Sequence, residues 1–479
     1  MGKIRRLAGE TVLYGLGSIV PRFLNFLLVT LHTSVLPPGE YGLITDVLAL
    51  VAFLNVVYAF GMETAYFRFA TKAGGDETRI FNLAQTAVLG ISAGISIMLI
   101  MFAGPLANNL GFGEHPNYIY WMVGIMFIDA AVIIPFARLR LRKKAFQFAI
   151  AKLVNVGIVV ALNVYFLKVV YDAEVGFAYV LLANLIGNTF FILFFIRPLL
   201  AWRPAYDKAI SPQMFQYAYP VMLTGLAAMT NEMFSRKTLR YWLPENFYPG
   251  RDHDYVLGIF GACYKFAMIM SLTVQAFRYA AEPFFFSNAA DKSSPALFAR
   301  VNHYFIIVCC FIFLGVSINM DLIKHFLGRP EYWEGLAIVP ILLLAYLFLG
   351  IYYNLTVWFK LTDKTYYGTY ITAGGAVITI IANYILIPVA GYVGSSWATL
   401  ICYFSMTIAC YQLGKKYYPI PYHITAGFAY ILLTAVVVYA VNAIEIQNQW
   451  LASSFHILVM SFYLLIIYLL ERKNLKGSR

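Results

Sequence analysis

Residues 40–69 read EYGLITDVLALVAFLNVVYAFGMETAYFRF, and between Tyr41 and Met62 the only charged side chain is Asp46. A run of that length and polarity suffices for one helix to cross the ~30 Å hydrocarbon core of a bilayer, which takes about 20 apolar residues. An acid, a tyrosine and a glycine open the stretch, and Glu63 with Tyr66, Phe67 and Phe69 closes it. Residues 254–286, DYVLGIFGACYKFAMIMSLTVQAFRYAAEPFFF, keep the same order: Asp254, Tyr255 and Gly258, an apolar run, then Glu282 with Phe284, Phe285 and Phe286. A spanning helix that occurs once in each half of the chain points to two parallel repeats about an axis along the membrane normal.

The rest of the chain agrees. Of its 479 residues 61% are hydrophobic and 12% charged, against roughly 25% charged in soluble domains. The mean hydropathy is +0.71. Fourteen apolar runs of spanning length are expected, at about 11–35, 41–62, 81–104, 118–137, 147–168, 175–196, 214–235, 254–277, 300–322, 334–357, 367–388, 392–412, 422–442 and 452–470. The start, MGKIRRLAGE, is basic and precedes a run too long for a signal-peptide core, so the first helix is expected to be retained. The expected fold class is therefore all-α, a polytopic membrane protein of about 14 transmembrane helices. Two pseudo-symmetric six-helix lobes are expected at residues 1–210 and 211–418, with helices 13 and 14 and a basic tail at 419–479.

The net charge of +12 is a topology signal rather than a nucleic-acid surface. With the N terminus placed in the cytoplasm, 26 of the 35 lysines and arginines fall on the inner side and 7 on the outer, leaving Arg22 and Lys265 inside spans. That asymmetry puts both termini inside. ARLRLRKKAFQFAIAK, from Ala137, is expected to lie as an interfacial helix on anionic lipid. SRKTLRYWLPENFYPGRDHDY, from Ser235, is read as an outward loop whose four basic residues break the orientation rule. The five cysteines, all in apolar runs, are expected as small buried hydrophobes. No connection is long enough to hold a soluble catalytic domain, no GxxxxGK[ST] phosphate loop occurs, and Asp252-His253-Asp254, which has the spacing of a metal-binding acid pair, sits in a short outer loop with no supporting domain, so neither an enzyme nor a cofactor or metal is expected.

Arg22 and Lys265 carry the functional argument. At ~1.5 Å per residue they lie roughly 18 Å and 16 Å from the nearest ends of their spans, one in each expected lobe. A charged side chain at the centre of a membrane helix costs at least ~2.5–3.5 kcal/mol, so such residues mark pathways or buried pairs. Asp46 differs from Arg22 in depth by on the order of 12 Å, which disfavours a direct pair. Asn55 sits closer to its level, Asn25 shares its helix, and Asp129 is a candidate to balance either cation. Two midplane cations suit an anion: guanidinium offers bidentate hydrogen bonds to a phosphate and ammonium a compact point charge. Arg22, Lys265, Asn25 and Asn55 are thus expected to bind substrate, with Asp46 and Asp129 as ion-coupling or charge-balancing groups.

Leu36-Pro37-Pro38-Gly39-Glu40-Tyr41-Gly42, Gly61-Met62-Glu63-Thr64-Ala65-Tyr66-Phe67-Arg68-Phe69 and AFRYAAEPFFF from Ala276 resemble the polysaccharide transporter flippases of the multidrug/oligosaccharidyl-lipid/polysaccharide (MOP) superfamily. The resemblance implies movement of a polyprenyl-pyrophosphate-linked oligosaccharide from the inner to the outer leaflet of the cell inner membrane, by alternating access of two lobes. It further implies a place in cell-surface polysaccharide biosynthesis, such as that of lipopolysaccharide O-antigen, with membrane lipids and glycan polymerase machinery as partners and no nucleic acid. The alternatives are a cation-coupled multidrug exporter of the same superfamily, which favours cavity carboxylates, and, more remotely, a membrane enzyme acting on the same lipid.

Overall fold

The computed structural model describes residues 2–71, 76–288, 294–444, 446 and 448–476, and within these leaves aside the side chains of 2–14, 16, 280, 283, 287, 288 and 473–476. Lys3, Arg5, Arg6, Lys72, Lys292, Lys473, Lys476 and Arg479 of the topology count lie outside the described side chains. The described chain is helix and connection, without strands: α1 (Gly2–Val35), α2 (Pro38–Ala59), α3 (Met62–Ala70), α4 (Glu77–Met101), α5 (Ala103–Asn109), α6 (Asn117–Leu141), α7 (Ala145–Lys168), α8 (Ala178–Phe194), α9 (Ile196–Ala201), α10 (Ser211–Trp242), α11 (His253–Asn288), α12 (Ser294–Ile318), α13 (Met320–Ile323), α14 (Ile338–Leu355), α15 (Val357–Leu361), α16 (Tyr366–Tyr417), α17 (Ile424–Asn442) and α18 (Gln449–Lys476).

Eleven described helical segments are long and apolar enough to cross a membrane. One of them, α16, has 52 residues, which would extend ~78 Å as a single rod, far more than one bilayer core. It folds back on itself instead. Gly391, at φ 55° and ψ −134°, interrupts it just after Pro388. The Ser395 hydroxyl donates to Asn383 Oδ1 at 3.1 Å and the Cys402 thiol to the Gly375 carbonyl at 3.4 Å, the register of an antiparallel helical hairpin. A side chain at Gly391 would also run into the Tyr248 ring, 2.3 Å from its hydroxyl. The two arms of α16, the 17-residue α8 and the more polar α10 complete the fourteen expected spans.

Chain breaks are set locally. Pro37 and Pro38 start α2, with Pro38 in the first turn where its missing N–H costs nothing, and Glu40 there complements the helix dipole. Phe60 and Gly61, both left-handed at φ 48° and 68°, end α2 and begin α3, so the second span breaks inside the run. Two expectations are corrected here. Ala137–Lys152 is no interfacial helix but the corner between α6 and α7, turned at Arg142–Lys144 with Lys143 at φ 55°. Ser235–Trp242, read as loop, is the last two turns of α10, which leaves residues 243–252 as the connection. The orientation rule counts charges and is blind to whether they are helical.

Two compact units emerge. The first comprises residues 1–262 and 369–402, the second 263–368 and 403–479. In the first, α1 packs on α7, α7 on α8, α4 on α6 and α2 on α10. At the α1–α7 contact Gly17 lets the helices approach so closely that a Cβ there would sit 2.9 Å from Ala149 Cα. Phe136 anchors an apolar cluster with Val132, Phe148, Ala151, Phe191 and Phe195. In the second unit α12 is central, touching α14, α17 and α18, and Phe285, Phe298 and Val357 form part of a second cluster. All five cysteines are buried and free, as expected.

The repeat seen in sequence has a structural counterpart. Glu63 pairs with Arg140 at the end of α6, two long helices further on. Glu282 pairs with Lys360 in α15 at 2.6 Å, likewise two long helices further on.

Candidate functional site

In the first unit a cavity of about 400 Å³ opens among α2, α3, α6 and α7. Helical spacing builds it. Asn55 and Tyr58 lie three apart on α2, Asp129, Ile133, Phe136 and Arg140 recur at four, three and four on α6, and Phe148 and Lys152 lie four apart on α7, so each set shares one face. Glu63, at the start of α3, faces Arg140 as an ion pair. Asp129 Oδ1 accepts from Asn188 Nδ2 at 2.9 Å, and Asn188 Oδ1 accepts from Asn155 Nδ2 at 3.2 Å. The Lys152 ammonium sits over the rings of Phe136 and Phe191, 4.3 and 4.8 Å from their centroids. Tyr58 shares a 3.0 Å hydrogen bond with Ser96.

Two carboxylic and two cationic side chains, an amide and aromatic faces thus meet within the helix bundle. Guanidinium and ammonium donate to phosphate or hydroxyl oxygens, the amide both donates and accepts, and an aromatic face packs against the C–H face of a sugar.

Asn55 and Asp129, both expected site residues, come together here. Arg22 and Asn25 are exposed on α1, three residues apart and so on one face, and neither lines this cavity. Lys265 is half-buried on α11, between the buried Tyr264 and Phe266, in the second unit. Glu63, Arg140 and Lys152 did not figure as site residues in the sequence, where Arg140 and Lys152 were absorbed into the inner-side charge count. Lys152 lies seven residues into α7, ~10 Å along the helix, a depth that becomes readable once Ala145 is known to start it.

Asp46 stands elsewhere, at the other end of α2. It is fully buried, accepts from Lys237 Nζ at 2.8 and 2.9 Å and from Arg240 Nη1 at 3.0 Å, and so balances two cations of α10. Arg240 continues the network to the Leu110 carbonyl at 2.8 Å and to Asp254 Oδ2 at 3.1 Å. Beside it α2 and α11 cross backbone to backbone: a Cβ on Gly42 would lie 1.9 Å from the Asp254 carbonyl oxygen, and one on Gly258 would lie 1.8 Å from that of Pro38. These are the glycines that open the two sequence copies. Asp252, Asp254 and the intervening histidine, which have metal-like spacing, serve otherwise: Asp252 accepts from the Tyr255 amide at 2.6 Å and Asp254 holds Arg240. Among the described residues no three His, Cys, Asp or Glu side chains converge as a metal-ligand set.

The second unit holds an apolar cleft of about 180 Å³ among α12, α14, α16 and α17, walled by Phe348, Ile351, Leu355, Phe404, Phe428 and Ile431, with Asn302 and His423 as polar members.

A family model described as polysaccharide biosynthesis protein matches residues 34–239. A comparison with curated proteins gives no match. Among solved structures the chain is similar to the lipid II flippase MurJ in an inward closed conformation, with 12% identity, a TM-score of 0.77 and coverage of 97% of this chain and 100% of that one. It is also similar to an inward-facing multidrug resistance MATE family transporter of the MOP superfamily, with 13% identity, a TM-score of 0.60 and coverage of 92% and 99%. A third likeness is to MATE in the straight conformation, with 14% identity, a TM-score of 0.56 and coverage of 92% and 97%. The resemblance drawn from the sequence stands: a polysaccharide-biosynthesis family model matches residues 34–239, and the fold is that of the lipid II flippase and MATE structures.

Proposed function

We propose that this multi-pass membrane protein of the MOP transporter fold moves a polyprenyl-pyrophosphate-linked oligosaccharide from the inner to the outer leaflet of the cell inner membrane. The observation that carries the reading is the cavity of α2, α3, α6 and α7, where Arg140 and Lys152 meet amide and aromatic side chains inside a spanning bundle. Oligosaccharide hydroxyls suit the amide and aromatic walls, and the pyrophosphate suits the cations. Arg22 and Lys265, with Asn25 and Asn55, are its proposed partners on the crossing path, and the apolar cleft of the second unit suits a length of prenyl chain. The family model, with its polysaccharide description, and the likeness to a lipid II flippase support a lipid-linked glycan as cargo.

The mechanism is alternating access of two lobes, residues 1–210 and 211–418, with both termini cytoplasmic and residues 419–479 as an appendix. The Gly42–Gly258 crossing and the Asp46–Lys237–Arg240–Asp254 network are its outer seal, which parts to release cargo. An inside-negative potential favours outward movement of net negative charge by ~2.3 kcal/mol per charge per 100 mV. Ion coupling through Asp129, O-antigen as the glycan, and a glycan polymerase downstream belong to the same proposal.

The rival reading, a cation-coupled drug exporter, draws on Glu63 and Asp129 and on the MATE likeness. Each of those acids shares its cavity with a cation, Arg140 or Lys152, so the site lacks the excess negative charge that attracts an organic cation. Depletion in cells tests the choice. Lipid-linked glycan accumulates on the cytoplasmic leaflet if the reading is right; undiminished surface glycan with raised sensitivity to organic cations establishes the exporter instead.

A further inference from the structure

The corner that replaces the expected interfacial helix encloses a second, separate cavity. About 490 Å³ in size, it lies among the ends of α6 and α8, the start of α7 and the start of α9. Four of its lining side chains are cationic: Arg138, Arg142, Lys144 and Arg197. Arg138 and Arg142 share Glu77, which takes a 2.7 Å hydrogen bond from Arg138 Nε, a 3.1 Å bond from Arg142 Nε and a 2.9 Å bond from the Tyr66 hydroxyl. Glu77 is thereby saturated. Among the described residues no carboxylate pairs with Lys144 or Arg197, so four positive groups surround one cavity beside a single negative one.

The remaining wall is mostly apolar, with Gln147 as a polar member, and part of it faces outward. Leu139, Leu193, Phe194 and Ile196 line it, and Leu193 and Ile196 are 63% and 43% exposed. Cations on one side and an open hydrocarbon face on the other, at the ends of spanning helices, match a phosphate headgroup with an acyl chain beside it. Crowded like charges are unfavourable until an anion joins them, which gives the cavity a reason to be filled. We propose that this cavity is a headgroup site for an anionic phospholipid, held through its phosphate by Lys144 and Arg197 with Arg138 and Arg142 behind them.

The test uses the full chain, purified in detergent, with native mass spectrometry in equal amounts of phosphatidylglycerol and phosphatidylcholine. The expected preference for phosphatidylglycerol is roughly 30-fold, falling to about threefold or less in Lys144→Gln/Arg197→Gln. The charge-conserving pair Lys144→Arg/Arg197→Lys keeps the preference, which separates lost binding from lost folding. No preference in the unaltered chain, or a preference undiminished in the neutral variant, overturns the proposal. Displacement of phosphatidylglycerol by an equal concentration of inorganic phosphate also overturns it, because the site then takes free phosphate.

Discussion

Replacing Gly42 by alanine forces α2 and α11 apart. The new methyl starts 1.9 Å from the Asp254 carbonyl oxygen and 2.7 Å from its carbon, both backbone atoms, so no side chain can swing aside. Restoring ordinary contact at 3.4 Å takes a separation of about 1.5 Å. That shift stretches the chain Asp46–Arg240–Asp254, which ties α2 to α11 through α10 with links of 3.0 and 3.1 Å, past hydrogen-bonding reach at one link, and opens the crevice over Thr45, whose hydroxyl lies 2.4 Å from where a Gly261 Cβ would be. Overpacking of this kind costs about 1–3 kcal/mol. A broken buried ion pair costs about 3–5 kcal/mol, less where water reaches the freed carboxylate. A net shift of about 2 kcal/mol changes the closed-to-open ratio roughly 30-fold. The assay is labelling of Thr45→Cys by a membrane-impermeant maleimide, against a background of five buried native thiols. We expect the rate to rise about 30-fold in Gly42→Ala and in Gly258→Ala, and less than twofold in Gly39→Ala, where a Cβ meets nothing within 4 Å. Equal rates in all three at matched thermal stability would refute the reasoning.

Four other outcomes are expected. Asp46→Asn, which leaves the half-buried Lys237 facing a neutral group while Arg240 keeps Asp254, lowers stability by about 3 kcal/mol in thermal unfolding, the low end for a broken buried pair, while Asp46→Leu/Lys237→Leu recovers part of it. Arg22→Ala and Lys265→Ala each leave the unfolding temperature nearly unchanged yet stall lipid-linked glycan on the cytoplasmic leaflet; normal surface glycan at matched expression removes their role. Gly391→Ala, strained at φ 55° and driven into Tyr248, cuts the yield of folded protein, read by size-exclusion chromatography in detergent. Asp207, ahead of α10, is held below the usual carboxylate range by the backbone amides of Ala209 and Ile210 and by Arg79. Its contribution is complete above the ordinary carboxylate pKa and is lost as pH falls through the depressed value, so Asp207→Asn lowers stability at neutral pH, changes little where the carboxyl is already protonated, and thereby flattens the acid limb of a stability–pH curve.

Hydropathy alone located the spans, because a bilayer imposes a length and polarity on each helix that any sequence must display. Even the hairpin of α16 was readable, as a gap between runs at Pro388 and Gly391. The pairing of Asp46 with Lys237 and Arg240 was not, since those partners lie more than 190 positions away and nothing local distinguishes a buried cation on α10 from a solvated loop charge. The same blindness hid Lys152. A lysine after a basic cluster reads as topology, and its place in the cavity depends on the left-handed turn at Lys143 that starts α7 early. Asn55 and Asp129 were legible because a polar group in the middle of an apolar run carries a cost that calls for a reason.

Reconstitution tests the central claim most directly. The purified chain is placed in vesicles carrying a polyprenyl-pyrophosphate-linked oligosaccharide in both leaflets, and an added glycosidase trims whatever glycan reaches the outside. Trimming that runs past the outer-leaflet half to near completion, and slows in Arg22→Ala and Lys265→Ala, is the predicted result. Trimming that stops at half, as in protein-free vesicles, contradicts it.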